Sequence, residues 1–390
     1  DKVKIGQKIA RSTGLVSSSI HSSISGKVVS IEERIHPSIL KPLPVVVIEN
    51  DGSNDVDSSV KPILDWETMS RKSLIEILQD KGIVGLGGAM FPTHVKLSPP
   101  KPIDTLLVNG CECEPYLNAD NRMMIEHPEQ IIKGINIAKK ILGVENVIIA
   151  VEENKPEALE SLNKYAGNLS KIKVESLRTK YPQGAEKMLV KRVLNREVLE
   201  LGLPLDVGVV VSNVSTIFAI YQAIFEGLPL IQRVITISGD DVEKRGNFMI
   251  KIGTTLNDIV NFCFKGDKKI LFEKYNIKMG GLMMGVNQAS LDSSVIKGTT
   301  GFTFLKKSPI ELSEERSCIK CGRCVETCPM ELEPLYYAYY GKNGMWGEAV
   351  QNDVDSCIEC GCCEYVCSSK IGLLSFIKKA KEYAHNKIKK

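Results

Sequence analysis

The sequence has almost no surplus charge: 50 Lys and Arg face 47 Asp and Glu, a net charge of +3 over 390 residues. That balance gives no case for a nucleic-acid binder working by phosphate attraction. No uninterrupted apolar run approaches the ~18 residues that a bilayer-spanning helix needs. There is also no basic start followed by an apolar stretch and a small-residue cleavage site, which speaks against secretion. The chain opens at Asp1 inside a strand-like pattern, which reads as a trimmed amino end. Cysteine is nearly missing from the first three hundred residues, where only Cys111, Cys113 and Cys263 occur. Secreted disulfide scaffolds are short and spread their cysteines, so that class is excluded too. What is present is concentrated: eight of the 12 cysteines fall in two tight runs near the C-terminus. Clustered thiols in a large chain of this kind read as metal ligands in a reducing compartment.

The length predicts two to four domains, and the patterning reads as a multidomain α/β chain. Residues 1–58 predict a partial barrel-sandwich-hybrid β domain. Short strands at Lys2–Gly6, Ser25–Ile31 and Pro44–Ile48 alternate between Gly6, Gly14, Gly26 and Pro37. The pattern is similar to half of a biotinyl/lipoyl-type unit without its lysine-bearing turn, hence scaffold, and Asp51–Ser59 follows as a polar linker. Residues 62–230 predict an α/β domain. A helix over Ser70–Lys81 buries Leu74, Ile75, Ile77 and Leu78 and stops at Gly82. Apolar runs at Thr105–Val108, Val147–Val151 and Val207–Val211 predict buried, mostly parallel strands. Helices are predicted between them at Pro128–Leu142, Lys155–Ala166 and Ala185–Leu194. Residues 231–300 resemble a β-grasp (SLBB-like) module, with strands at Arg233–Gly239 and Asn247–Gly253, a helix opening at Thr255, and Gly280–Gly285 as a tight connection. Residues 301–372 hold the cysteine runs as a ferredoxin-like domain, and 373–390 form a basic amphipathic tail.

The first run is Cys318-x2-Cys321-x2-Cys324-x3-Cys328-Pro329 and the second Cys357-x2-Cys360-x2-Cys363-x3-Cys367. This matches the bacterial two-cluster ferredoxin pattern, in which the fourth thiolate of each run crosses to the other 4Fe-4S cluster. Cluster I then takes Cys318, Cys321, Cys324 and Cys367. Cluster II takes Cys357, Cys360, Cys363 and Cys328. Structural zinc is the alternative, but it needs four ligands and leaves the third closely spaced cysteine unused. Two features depart from the pattern: Ser368 replaces the second proline, and Cys362 stands beside Cys363 with no ligand position of its own.

Gly85, Gly87 and Gly88 follow the first α/β helix closely, and Lys96 can place a point charge on a phosphate. The spacing is neither Walker A nor GxGxxG, and a tight turn is the alternative. An acidic loop, Asn109–Tyr116, leaves the carboxyl end of a predicted parallel strand, where α/β sheets bind ligands. Tyr181–Lys187 opens a helix, and Val211–Thr216 leaves another strand.

Taken together, GLGGAMFPTHVKL, VNGCECEPYL, YPQGAEK and the double ferredoxin runs resemble the RnfC family of the Rnf ion-translocating electron-transport complex, along essentially the whole chain. The flavin-binding subunit of respiratory complex I is a more distant likeness. The resemblance implies FMN in the α/β domain with NAD(H) stacked over it. Gly85, Gly87, Gly88 and Lys96 would hold the flavin phosphate and ribityl. Asn109, Glu112 and Tyr181 would line the isoalloxazine, and Ser212, Asn213 and Thr216 would close the phosphate side. Phe91, Glu114 and Glu186 would face the nicotinamide nucleotide. Met90, Ala185 and Cys111 depart from the complex I pattern, where a glycine, an acid and an aspartate stand. The family implies a peripheral subunit on the cytoplasmic face of the cell membrane. It would pass electrons between NAD(H), FMN and two 4Fe-4S clusters, within ferredoxin:NAD+ oxidoreduction coupled to Na+ or H+ transport by partner subunits. A metabolosome cobalamin reductase has a similar architecture, and a flavin-free iron–sulfur adaptor is a third reading.

The remaining candidates read as structural. His94 reads as a hydrogen-bonded loop histidine, Cys111 and Cys113 as packed thiols, Glu112 and Glu114 as polar contacts, and Met283 and Met284 as packing. In the tail, Leu373, Leu374, Ile377 and Ala380 form an apolar stripe beside Lys378, Lys379, Lys381, Lys387, Lys389 and Lys390. Docking on the ferredoxin unit or a partner is the first reading of that stripe, and an anionic membrane surface the second.

Overall fold

Hydrophobic patterning divides the chain into four sheet or helix assemblies. The computed structural model describes residues 1–167, 171–265, 268–307 and 315–388. Lys389, Lys390 and the side chain of Lys387, part of the basic tail, lie outside the described residues. The amino-terminal unit is all β. Gly26–Ile35 lies between Lys2–Val3 and Pro42–Asn50 in an antiparallel sheet, and Lys8–Ala10 pairs with Ile20–His21. The polar stretch read as a linker adds to this unit: Ile5 N donates to Asp55 O, and Asp57 N donates to Ile5 O, each at 2.8 Å.

The α/β unit is a four-stranded parallel sheet in the order Ile172–Leu177, Asn146–Glu152, Thr105–Gly110, Val209–Asn213. Three of these strands are the apolar runs of the sequence. The fourth, Ile172–Leu177, is an edge strand carrying exposed Lys173 and Ser176, so no continuous apolar run marks it. Helix Arg71–Asp80 starts on Ser70, whose side chain accepts from Ser73 N, and gives way to Gly82 at φ +68°. Helix Pro128–Leu142 packs on Val214–Tyr221 so closely that a Cβ on Gly134 would lie 2.2 Å from Ile217 O. Helices Pro156–Ala166 and Glu186–Leu194 complete the expected set, and Ala119–Glu126 is an addition to it.

The third unit is a mixed sheet ordered Gly246–Lys251, Gln232–Gly239, Gly301–Lys306, Tyr275–Met279, Val286–Asn287. Helix Leu256–Cys263 packs against it, opened by a capping box between Thr255 and Asp258. The central strand Gly301–Lys306 lies beyond the 231–300 expected for this module, inside the 301–372 assigned to the ferredoxin-like unit. The structure corrects that boundary: residues 301–305 are buried between two strands, and Gly301 approaches Thr236 O more closely than a side chain would allow.

The last unit is helical. The tail forms helix Leu373–Ile388, whose Leu373, Ile377, Ala380 and Ala384 are buried against Pro334–Lys342 and Trp346–Gln351. The apolar stripe therefore docks within the chain. Among the described residues, no helix is long and apolar enough to cross a membrane.

Phe304, fully buried on the central strand of the third sheet, anchors that core. Phe304→Ala should lower unfolding free energy by about 3–5 kcal/mol, read as a fall in the urea midpoint at unchanged slope. A shift within error of zero would contradict the placement of this strand.

Candidate functional site

The chain winds from Thr105–Gly110 outward through Asn146–Glu152 to Ile172–Leu177, then returns to lay Val209–Asn213 on the opposite side of Thr105–Gly110. That reversal opens a crevice at the carboxyl ends of the two central strands. Asn109 and Asn213 stand opposite each other there in register.

The glycine loop meets the strand ends at this crevice. Val84 bridges to Pro92, Gly85 N donates to Phe91 O at 2.8 Å, and Leu86 N donates to Thr216 Oγ1 at 2.8 Å. A Cβ on Gly87 would lie 3.4 Å from Asn213 Cβ. Gly88 sits at φ +111° and faces open space where its Cβ would be. Asn213 caps helix Val214–Tyr221 by accepting from Ser215 N at 2.9 Å. Gly85, Gly87, Gly88, Asn213 and Thr216 thus come together, with Asn109 and buried Ser212 on the adjoining strand ends. A backbone-lined opening with a helix start beside it fits an anionic phosphate.

The other expected contacts are engaged differently. Lys96 Nζ pairs with the Glu186 carboxylate, joining residues assigned to different nucleotides. Asn109 Nδ2 donates to Gly184 O at 2.8 Å, and its Oδ1 accepts from Cys111 N at 3.0 Å. Glu112 accepts from Asp120 N (3.0 Å) and Asn121 N (3.1 Å), so both oxygens cap helix Ala119–Glu126. Glu114 accepts from Met283 N (3.0 Å) and Met284 N (2.6 Å), clamping the Gly280–Gly285 connection. Phe91 is 41% exposed. His94 is buried with Nε2 at 3.2 Å from Leu15 O, and burial lowers its pKa. Burial raises the Cys111 thiol and pushes Cys113 up to about 11, which keeps both neutral.

Three residues escaped the sequence reading. Asp120 accepts from Asn213 Nδ2 at 2.6 Å and from Ser215 Oγ at 2.5 Å, tying the two helix starts together. Lys155 lies buried, donating to Glu152 Oε2 (2.7 Å) and Glu112 O (3.2 Å). Arg233, also buried, reaches Leu86 O from the neighbouring sheet at 3.1 Å. Burial pushes the Arg233 guanidinium down to about 10, against the pull of Asp120 and Glu112. A cation at the head of an apolar strand is the one sequence signal that could have flagged it.

The eight run cysteines separate into two sets. Cys318, Cys321, Cys324 and Cys367 line a cavity of about 260 Å³. Cys328, Cys357, Cys360 and Cys363 line a tighter one of about 20 Å³, with Cys362 in its wall. The last cysteine of each run thus joins the three of the other. Backbone N–H groups of Lys320 and Glu359 point at Cys318 and Cys357 Sγ (3.4 and 3.3 Å), and those of Leu332 and Ile371 at Cys328 and Cys367 Sγ (both 3.4 Å). Left-handed residues recur in step: Lys320 with Glu359, Gly322 with Gly361, and Glu331 with Lys370. Among the described residues, no three His, Cys, Asp or Glu side chains converge as a single ion requires. Four thiols around a common void, with amide donors to sulfur, suit a polynuclear cluster.

Tyr181 connects the two halves of the site. Its hydroxyl donates to Cys360 O at 2.6 Å, while Gly184, three residues on, holds Asn109.

Burial is the first cause of the raised Glu112 carboxyl, and Asp120 adds to it. A raised carboxyl keeps its proton in the folded chain at pH values where the unfolded chain has lost it. Its contribution to stability therefore falls as pH rises from the ordinary carboxylate range upward. Glu112→Gln should remove that slope, so urea melts at about pH 5 and about pH 8 should show wild type losing stability relative to the variant. Parallel pH profiles would contradict it.

Comparison with known proteins agrees with this layout. Residues 1–53 match the "RnfC Barrel sandwich hybrid domain", 78–222 the "Nuo51 FMN-binding domain", and 317–371 the "4Fe-4S dicluster domain". The chain is 45% identical over 353 residues to the C component of the proton-translocating ferredoxin:NAD(+) oxidoreductase complex of Clostridium ljungdahlii, covering 90% of this chain and 76% of the relative. It is 43% identical over 383 residues to the C component of the Na(+)-translocating complex of Acetobacterium woodii, covering 98% and 85%. Crystal structures of NAD+-reducing NiFe-hydrogenase share the fold at 16% identity. The air-oxidized form aligns at TM-score 0.52 over 81% of this chain and 54% of that one, and the H2-reduced form at 0.53 over 83% and 62%. With such identity to these relatives along nearly its whole length, the chain belongs to the RnfC family of ion-translocating ferredoxin:NAD(+) oxidoreductase complexes.

Proposed function

We propose that the chain is the NAD(H)-interacting peripheral subunit of such a complex, on the cytoplasmic face of the cell membrane. Partner subunits would carry out Na+ or H+ transport coupled to ferredoxin:NAD+ oxidoreduction. The exposed glycine loop, Lys96, Asn109, Ser212, Asn213 and Thr216 would hold FMN, with Phe91 and Glu186 toward NAD(H). Glu112, Glu114 and Tyr181 would shape the site from behind through their bonds to Asp120, Met283 and Cys360. Cys318, Cys321, Cys324 and Cys367 would hold cluster I, and Cys357, Cys360, Cys363 and Cys328 cluster II. When bound, a flavin supplies exchange of electron pairs with a nicotinamide and of single electrons with iron–sulfur centres. The chain's own part is spacing. The observation that carries the reading is the Tyr181–Cys360 bond, which fastens the second cysteine set to the loop that holds Asn109. That contact makes cluster II the neighbour of the flavin crevice. Cluster I, whose Cys318 and Cys321 are exposed, becomes the outward-facing centre.

Anaerobic titration of the purified chain with NADH, followed by visible absorption and EPR, tests the reading. Bleaching of a flavin band with the appearance of reduced-cluster signals is expected. Material that stays unchanged would refute it, and flavin-free material with intact clusters would favour a relay adaptor. About eight irons per chain are expected. Cys367→Ser should remove the same EPR signal as Cys321→Ser, and Cys328→Ser the same signal as Cys360→Ser. Matching within runs instead of across them would overturn the crossed assignment. Lys96→Ala should weaken FMN binding by about ten-fold at unchanged iron content, and unchanged flavin affinity would remove Lys96 from the phosphate site.

A further inference from the structure

The peptide between Leu86 and Gly87 is held from outside the α/β unit. Its C=O, on Leu86, accepts from Arg233 Nη2 at 3.1 Å, while the preceding peptide, Gly85–Leu86, gives its N–H to Thr216 Oγ1 at 2.8 Å within the α/β unit. Arg233 stands on strand Gln232–Gly239 of the neighbouring sheet, beyond residues 78–222 that match the flavin-binding family. Its side chain is buried, with Nη1 donating to Lys297 O at 2.5 Å and Nε directed at Val234 O at 3.5 Å. Lys297 in turn donates to Gly82 O and Ser19 O, at 2.6 and 2.8 Å. The guanidinium thus belongs to a scaffold that grips the glycine loop at Gly82 and Leu86.

In a trans peptide the carbonyl and the following N–H point in opposite directions. With Leu86 C=O drawn toward Arg233, Gly87 N–H is turned away from it. Among the described residues, neither Gly87 N–H nor Gly88 N–H has a hydrogen-bond partner, and both glycines are exposed. Two free donors beside an opening, with a buried cation behind the same peptide, form a nest for an anion. Residues in the loop cannot set this orientation alone, because glycine leaves its backbone free.

We infer that Arg233 is the positioning residue of this anion site: by fixing the Leu86–Gly87 peptide it aims the loop N–H groups at the phosphate of the bound flavin and so sets the preference for FMN over riboflavin. The inference rests on the flavin reading above and goes beyond it, because it assigns phosphate discrimination to a residue of a different sheet.

The test compares FMN with riboflavin, which has the same ring and ribityl but no phosphate. Both are titrated onto the deflavinated full-length chain, with quenching of flavin fluorescence as readout. Arg233→Met should weaken FMN by about ten-fold or more and riboflavin by less than about three-fold, so that the preference ratio collapses. Arg233→Lys, which keeps the charge and can reach one carbonyl, should recover part of the ratio. Thr216→Val frees the preceding peptide, Gly85–Leu86, and so loosens Leu86 from its other side, which should lower the ratio in the same direction. It also carries the test if Arg233→Met fails to fold. Equal losses for both flavins, or an unchanged ratio in Arg233→Lys and Thr216→Val, would show that Arg233 merely joins two sheets and overturn the inference. Wild-type chain that binds FMN with no preference over riboflavin would overturn it while leaving flavin binding intact. Wild-type chain that binds neither would overturn the flavin reading as well.

Discussion

The parallel pairing of Thr105–Gly110 with Val209–Asn213 is the constraint on which the site depends. Because the chain reaches Val209 only after building two strands on the other side, its return splits the helices above the sheet and leaves a crevice. One register step would remove Asn109 from its place opposite Asn213 and turn each side chain of a strand to the other face. The pairing is protected by burial. Leu106, Leu107, Val108, Val209, Val210 and Val211 are all nearly or fully inaccessible, so slippage would expose apolar surface on both faces.

Around the crevice, polar side chains that look available in a linear reading are largely engaged in holding loops to one another. Glu112 and Asp120 fix the starts of two helices, Glu114 fixes the connection of the adjoining sheet, and Asn109 fixes the loop of Tyr181. Each bond contributes on the order of 1 kcal/mol net, but an unmet buried carboxylate would cost more than that, which makes the set interdependent. The crevice is consequently walled by side chains that do not need to move, while its exposed donors are backbone N–H groups. Preorganised donors of this kind bind an anion without a further loss of entropy to order themselves.

The cysteine unit obeys a different logic. Its two runs repeat the same turn, with left-handed residues, short helices and amide-to-sulfur contacts at matching positions. Neither half is complete alone, since Cys328 and Cys367 each finish the cavity of the other run. Helix Leu373–Ile388 closes the unit, with Lys381 donating to Cys357 O at 2.7 Å. A lysine of the basic tail is therefore a tie to the turn that carries Cys357.

Much of this was legible from residue order alone: four of the α/β helices with the glycine stop of the first, the three buried strands, and the crossed cysteine spacing with its two quartets. These are local or periodic signals, carried by 3.6-residue and two-residue repeats or by fixed ligand intervals, so they survive without coordinates. Edge strand Ile172–Leu177 and central strand Gly301–Lys306 were missed because an edge alternates with solvent, and because a boundary next to a long run of cysteines has no local mark. Tertiary structure alone decided which polar groups face the crevice and which are consumed in ties, as with Lys96 and Glu186, Glu114 and Met283, Arg233 and Leu86, and Tyr181 and Cys360. These partners lie dozens to hundreds of residues apart, and hydrogen bonds of a few ångströms are specified by the packing of sheets against one another, which no periodicity along the chain encodes.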